Sequence, residues 1–207
     1  MPVVAYQLVP ANAGSPGYAV AKELARQTVA QFGAVRGLGV GIGGGSCCAA
    51  VALAPAGGAG FPAGAALNAF GPPPGALPLY GGALPYGIAY GNSQLAAGGL
   101  ALGPLGGHAE RAALTGAGGL ALYTLPGTNH AVLFVELTPC GPCATWLGGG
   151  GGGVANPYNG VINGGGATTL NVWWRWVYPG DGGVPAMNAF HAMTVAAQLA
   201  QINGATW

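Results

Sequence analysis

The chain has 207 residues, of which 4% are charged and 51% hydrophobic, with 43 glycines, 17 prolines and a net charge of +1. Charge-driven disorder is excluded, because it needs low hydrophobicity and high net charge. A broad basic surface for nucleic acid is excluded too, since Lys22 is the one lysine and Arg26, Arg36, Arg111 and Arg175 are the only arginines.

Met1–Val4 shows no basic stretch of the kind that opens a signal peptide. No charged residue occurs from Gly37 to Ala109. Pro55, Pro62 and Pro72–Pro74 break that stretch and glycines crowd it, so no membrane span is expected.

Ser15-Pro16 predicts a helix start, with serine as N-cap and proline in the first turn. Ala21, Leu24, Ala25, Thr28 and Phe32 follow at helical spacing, and Gly33 stops the run. Residues 34–75 are rich in Gly, Ala and Pro; within them Cys47–Leu53 reads as a short helix, with Cys47 and Cys48 as small buried apolar side chains. Residues 1–75 thus form an N-terminal segment and 76–207 a domain. Tyr86–Tyr90 alternates like a strand and Gly91-Asn92 signals a turn. A helix is expected over His108–Leu114. Ala131–Val135 is continuously apolar, as a strand buried on both faces is. A helix from Pro139 is expected to end in Gly148–Gly153. Thr168–Val177, β-branched and aromatic, is the strongest strand. Pro185–Ile202 predicts one last helix, with Ala192, Val195, Ala196, Leu199 and Ile202 on one side. Strands alternating with helices predict an α/β sandwich with a largely parallel sheet half.

The chemistry lies in His108-Ala109-Glu110 and Pro139-Cys140-Gly141-Pro142-Cys143. One imidazole and two thiolates are the three protein ligands of a catalytic zinc site, which keeps its fourth position for water. Cys140 and Cys143, at i and i+3 on a first helical turn, point the same way, and the helix N-terminus favours their thiolates. Glu110, two residues from His108, can reach the attacking water without binding the metal. Together these residues form the H-x-E…P-C-x-x-C signature of zinc deaminases.

On Leu77–Gly82, Gly107–Leu114 and Thr138–Cys143, the stretch Leu77–Trp207 resembles the cytidine-deaminase-like superfamily. It is most like the bacterial polymorphic-toxin deaminases, some of which attack cytosine in DNA. The resemblance implies a three-layer fold with a central mixed β-sheet flanked by helices. It implies one zinc ion per chain on His108, Cys140 and Cys143, with Glu110 as catalytic proton carrier. It also implies conversion of cytosine to uracil in nucleic acid, single- or double-stranded DNA above all. A secreted bacterial toxin domain acting in a target-cell cytoplasm, with an immunity protein as partner, would follow.

Substrate contacts are expected from Ala109 and Pro139 beside the metal motifs, and from Asn92 after the first strand of that stretch. Trp146, Trp173, Trp174, Trp176 and Tyr178 can supply a stacking surface, the alternating tryptophans being equally open to plain sheet packing and Tyr178 lying in a loop where related deaminases contact substrate. Arg175 reads either as a phosphate contact or as a core-edge arginine. His130 and His191 read as structural or surface residues.

Rival readings stay open. Cys140-Gly141-Pro142-Cys143 after an apolar strand also resembles the thioredoxin redox site. Thr138-Pro139 stands where that pattern has tryptophan, no proline precedes the strand at Thr168, and His108 and Glu110 are left without a role. A closed structural zinc site adding His130 is a further option. Among deaminases, a free nucleoside or nucleotide competes with nucleic acid, because phosphate affinity usually comes from Lys and Arg; glycine N–H groups substitute only in part. Gly39-x-Gly41-x-x-Gly44 matches a dinucleotide fingerprint by letter but lacks its strand and acidic residue. Gly148–Gly153 lacks the lysine and hydroxyl of a phosphate loop.

Overall fold

The apolar run at Ala131–Val135 becomes the middle strand of a five-stranded mixed sheet, and each of its residues is at most 2% exposed. The computed structural model describes residues 4–15, 17–33, 36, 47–55, 88–93, 108–115, 128–149, 170–178 and 183–204. The strands are β1 (Val4–Gln7), β2 (Cys48–Pro55), β3 (Ile88–Asn92), β4 (Thr128–Leu137) and β5 (Leu170–Trp176), in the order β1-β5-β4-β2-β3. β1 pairs parallel with β5, and β5 parallel with β4. β2 pairs antiparallel with both β4 and β3. Only β2 therefore runs against the rest.

The described helices are α1 (Tyr18–Phe32), α2 (Ala109–Thr115), α3 (Gly141–Leu147), α4 (Gly183–His191) and α5 (Val195–Asn203). On one sheet face α1, α4 and α5 bury Leu24, Val29, Met187, Phe190 and Ile202 against Ala50, Val132, Phe134 and Trp173. On the other face α2 and α3 bury Ala113, Leu114, Trp146 and Leu147 against Val51, Leu133, Val135 and Val172. The chain is a three-layer α/β protein. No helix among the described residues is long and apolar enough to cross a membrane.

Four local expectations are corrected. Cys47–Leu53 is not helical: Cys48–Pro55 is strand β2, hydrogen-bonded to a neighbour on each side. Cys48–Ala52 is 0% exposed, and a strand buried on both faces has no polar face for periodicity to reveal. Gly91-Asn92 is not a turn, since Gly91 pairs with Ala49 and Asn92 with Cys48 inside the sheet. α1 begins at Tyr18 behind Gly17, whose φ of 83° is the left-handed conformation that glycine tolerates. Finally, the single helix expected over 185–202 is two. Thr194 breaks it, its Oγ1 accepting the Ala197 N–H at 3.2 Å as the N-cap of α5. Ala192 and Ala196 are accordingly exposed, while Ile202 is buried.

β1, α1 and β2, all from residues 1–75, belong to the same sheet and core as β3–β5. β1 extends the sheet beyond β5, and Tyr6 stacks on Trp173 with ring centroids 4.8 Å apart. The boundary at 75/76 lies outside the described residues.

Candidate metal centre

Because β2 alone is reversed, its first residues lie on the same sheet edge as the carboxyl ends of the other four strands. In α/β sheets this edge is where ligands bind. α3 follows β4 directly, so its N-terminus opens at that edge, and α2 is inserted between β3 and β4. His108 immediately precedes α2 and Cys140 is the N-cap of α3. Cys143 lies in the first turn of α3, where Pro142 is tolerated because early N–H groups have no intrahelical partner.

The two helix starts bring three donor atoms together. His108 Nδ1 is 3.2 Å from Cys143 Sγ and 3.5 Å from Cys140 Sγ. All three donors fall within 4.8 Å of one another, so His108, Cys140 and Cys143 can hold one metal ion. None of the four cysteines forms a disulfide. Cys143 is fully buried, while His108 and Cys140 are half-buried, which leaves an open side.

Glu110 completes the arrangement without joining the donor group. It is 5% exposed, and its side chain hydrogen-bonds Cys143. Burial pushes its carboxyl above the ordinary range, only partly offset by its own backbone N–H and Cys143. Burial likewise pushes the Cys143 thiol well up, and the neighbouring charges of Glu110 and Cys140 add to it. Out of water and beside the Glu110 carboxyl, the Cys143 thiol resists ionisation. A divalent cation reverses that balance and holds the thiolates deprotonated. One nitrogen and two sulfurs suit a borderline-soft ion.

Gly91 sets how closely α2 approaches the sheet. A Cβ placed there would collide with Ala113 N and Ala109 O, so the α2 backbone lies directly on β3. That contact carries His108 and Glu110 to the sheet edge.

The remaining expected residues divide. Asn92, half-buried, ends β3 at this edge; the next residue, Ser93, accepts the Cys47 N–H at 2.8 Å and donates its own N–H to Cys47 O at 2.7 Å. Ala109 is 1% exposed and Pro139 half-buried, each beside a donor. Trp146 is 2% exposed, and the Arg111 guanidinium carbon sits 4.6 Å from its ring centroid, so its face is already covered. Trp173 is core, 0% exposed, and Trp176 packs on Phe190 with centroids 5.1 Å apart. Tyr178, beyond β5, is 44% exposed. Arg175 is half-buried and lies over Trp176, 5.8 Å from its centroid. His130 stands near the opposite end of β4, across from Ala54. The backbone rise puts it on the order of 20 Å from Thr138, too far to close the site as a fourth ligand.

A second polar cluster, on the α1/α4 face at the same edge, was not expected. Arg36 Nη2 is 2.9 Å from Glu136 Oε1, His191 Nε2 is 3.0 Å from the same oxygen, and the Cys48 N–H donates to Glu136 Oε2 at 2.8 Å. Arg36 also reaches Cys48 Sγ at 3.2 Å and His191 Nδ1 at 3.1 Å. The one available signal was Glu136 itself, an acid directly after a fully buried run, which needs a charged partner. His191, expected to be structural or superficial, is structural, its side chain 3% exposed.

Fold and site together define a three-layer α/β protein whose sheet edge carries a His/Cys/Cys group able to bind a metal ion. The chain matches no protein-family model, no curated protein and no solved structure.

Proposed function

We propose that this protein is a zinc-dependent hydrolytic deaminase that converts cytosine to uracil in nucleic acid, DNA above all, acting as a bacterial toxin domain. The observation that carries the reading is the buried carboxyl of Glu110 beside a His/Cys/Cys donor group to which it does not belong. Hydrolytic deamination needs that division of labour, with separate metal ligands and proton carrier.

His108, Cys140 and Cys143 would hold the ion. Zinc supplies Lewis acidity that makes a water nucleophilic at neutral pH. Glu110 takes a proton from the attacking water as its oxygen bonds to the amine-bearing ring carbon, and passes that proton to the ring nitrogen. The remaining proton of the new hydroxyl goes to the exocyclic amine, the carbon–nitrogen bond breaks, ammonia leaves, and the carbon keeps its oxygen as a carbonyl. Burial favours this role, because raising the carboxyl's pKa makes it a better acceptor for the proton of the attacking water. Asn92 and Pro139, half-buried at the same edge, would orient the base. The contact of His108 with both sulfurs favours a metal centre over dithiol–disulfide exchange.

The test is incubation of zinc-loaded protein with single- and double-stranded oligonucleotides containing cytosine and adenine, followed by sequencing. Cytosine-to-thymine reads, absent with Glu110→Ala, are expected. No base change with any substrate, or full activity in Glu110→Ala, would overturn the reading.

A further inference from the structure

Arg111 follows His108 by three positions on α2, as Trp146 follows Cys143 on α3. The pair meets about 4.5 Å along each helix beyond the donor residues. The Arg111 guanidinium lies over the indole of Trp146, and the residue is only 9% exposed. Its Nε and Nη2 are buried and meet no hydrogen-bond acceptor among the described residues.

The acidic residues among the described residues are all committed elsewhere. Glu23 pairs with Arg26 and Gln27. Glu136 pairs with Arg36 and His191. Glu110 bonds Cys143. Asp181, the fourth acid, lies outside the described residues. A buried guanidinium with two idle donors is costly, and a tryptophan face compensates for only part of that cost. What its planar fork fits is a pair of oxygens on one anion.

We propose that Arg111, braced by Trp146, binds a phosphate group of the substrate. This rests on the deaminase reading, which makes the substrate a nucleotide unit whose base occupies the metal centre. It also answers a question posed by the composition: one lysine and four arginines cannot build a broad phosphate surface, but one enclosed guanidinium can hold one phosphate. Binding then varies weakly with salt, with log K falling against log salt with a slope of about −1 per neutralised phosphate.

Zinc-loaded wild-type protein, Arg111→Met and Arg111→Lys are compared by thermal melting and equilibrium binding. The ligands are inorganic phosphate, deoxycytidine, deoxycytidine monophosphate and a cytosine-containing oligonucleotide. Phosphate and the phosphorylated ligands should raise the wild-type Tm. Arg111→Met should fold with an unliganded Tm at or above wild type, because an uncompensated charge is gone. It should bind phosphorylated ligands about ten-fold or more weaker relative to deoxycytidine. Arg111→Lys, which keeps the charge but not the fork, should fall between and serves if the methionine variant does not fold. Selective loss on the mononucleotide assigns the phosphate to a free nucleotide, and selective loss on the oligonucleotide assigns it to a polymer. An unchanged preference for phosphorylated ligands in both variants overturns the proposal, and if cytosine is still deaminated the deaminase reading survives. Arg111-dependent phosphate binding without deamination of any substrate would leave this site standing and remove that reading.

Discussion

Nη2 of Arg36 and Oε1 of Glu136 lie 2.9 Å apart across 100 positions of sequence, their side chains 5% and 3% exposed. Burial alone lowers the pKa of a guanidinium, but the charges of Glu136 and Cys48 more than offset it, and Arg36 ends above its ordinary value. The pair joins Arg36, four positions past the end of α1, to β4, and His191 brings in the end of α4.

Arg36→Met leaves Glu136 buried without its principal cation. The expected cost is about 3–5 kcal/mol, because removing one partner strands a desolvated charge. Urea unfolding measures it. A loss below about 1 kcal/mol would mean that the pair behaves like an exposed one.

Gly91→Ala forces a methyl against the Ala109 and Ala113 backbone. Overpacking of this kind costs about 1–3 kcal/mol. Since α2 must shift, metal affinity measured against a competing chelator should fall along with Tm. Unchanged affinity together with an unchanged Tm would contradict the close approach of α2 to β3.

Much of this was readable in advance, for local reasons. The donors sit in two short motifs, so no long-range pairing was needed to find His108, Cys140, Cys143 and Glu110. β4 and β5 declare themselves by their apolar and aromatic runs, and α1 by Ala21, Leu24, Ala25, Thr28 and Phe32. β2 did not, because Cys-Ala-Ala-Val-Ala-Leu-Ala carries no alternation and β-branching only at Val51. The Arg36, Glu136 and His191 cluster depends on contacts between distant segments, which no window of sequence contains. The break at Thr194 was visible in principle, as a capping residue inside an apolar helical period.

Cys48 makes stability fall at high pH. Burial, with the charge of Glu136, pushes its thiol well above the ordinary 9.0, which the nearby Arg36 only partly counteracts. Above about pH 9 the unfolded thiol has lost its proton while the folded one keeps it. The unfolding free energy then falls by about 1.4 kcal/mol per pH unit for this group. Below pH 9 both states are protonated and the contribution is flat. Urea unfolding under reducing conditions from pH 8 to 10.5 should show this decline, and Cys48→Ala should reduce it. The same slope in wild type and variant would contradict the assignment.

The most direct test of the account is the zinc content of the purified protein measured by inductively coupled plasma mass spectrometry. One ion per chain is predicted for wild type and for Glu110→Ala, with loss in His108→Ala and Cys143→Ala. Full zinc in either ligand variant, or no zinc in a folded, reduced wild type supplied with the ion, would contradict it.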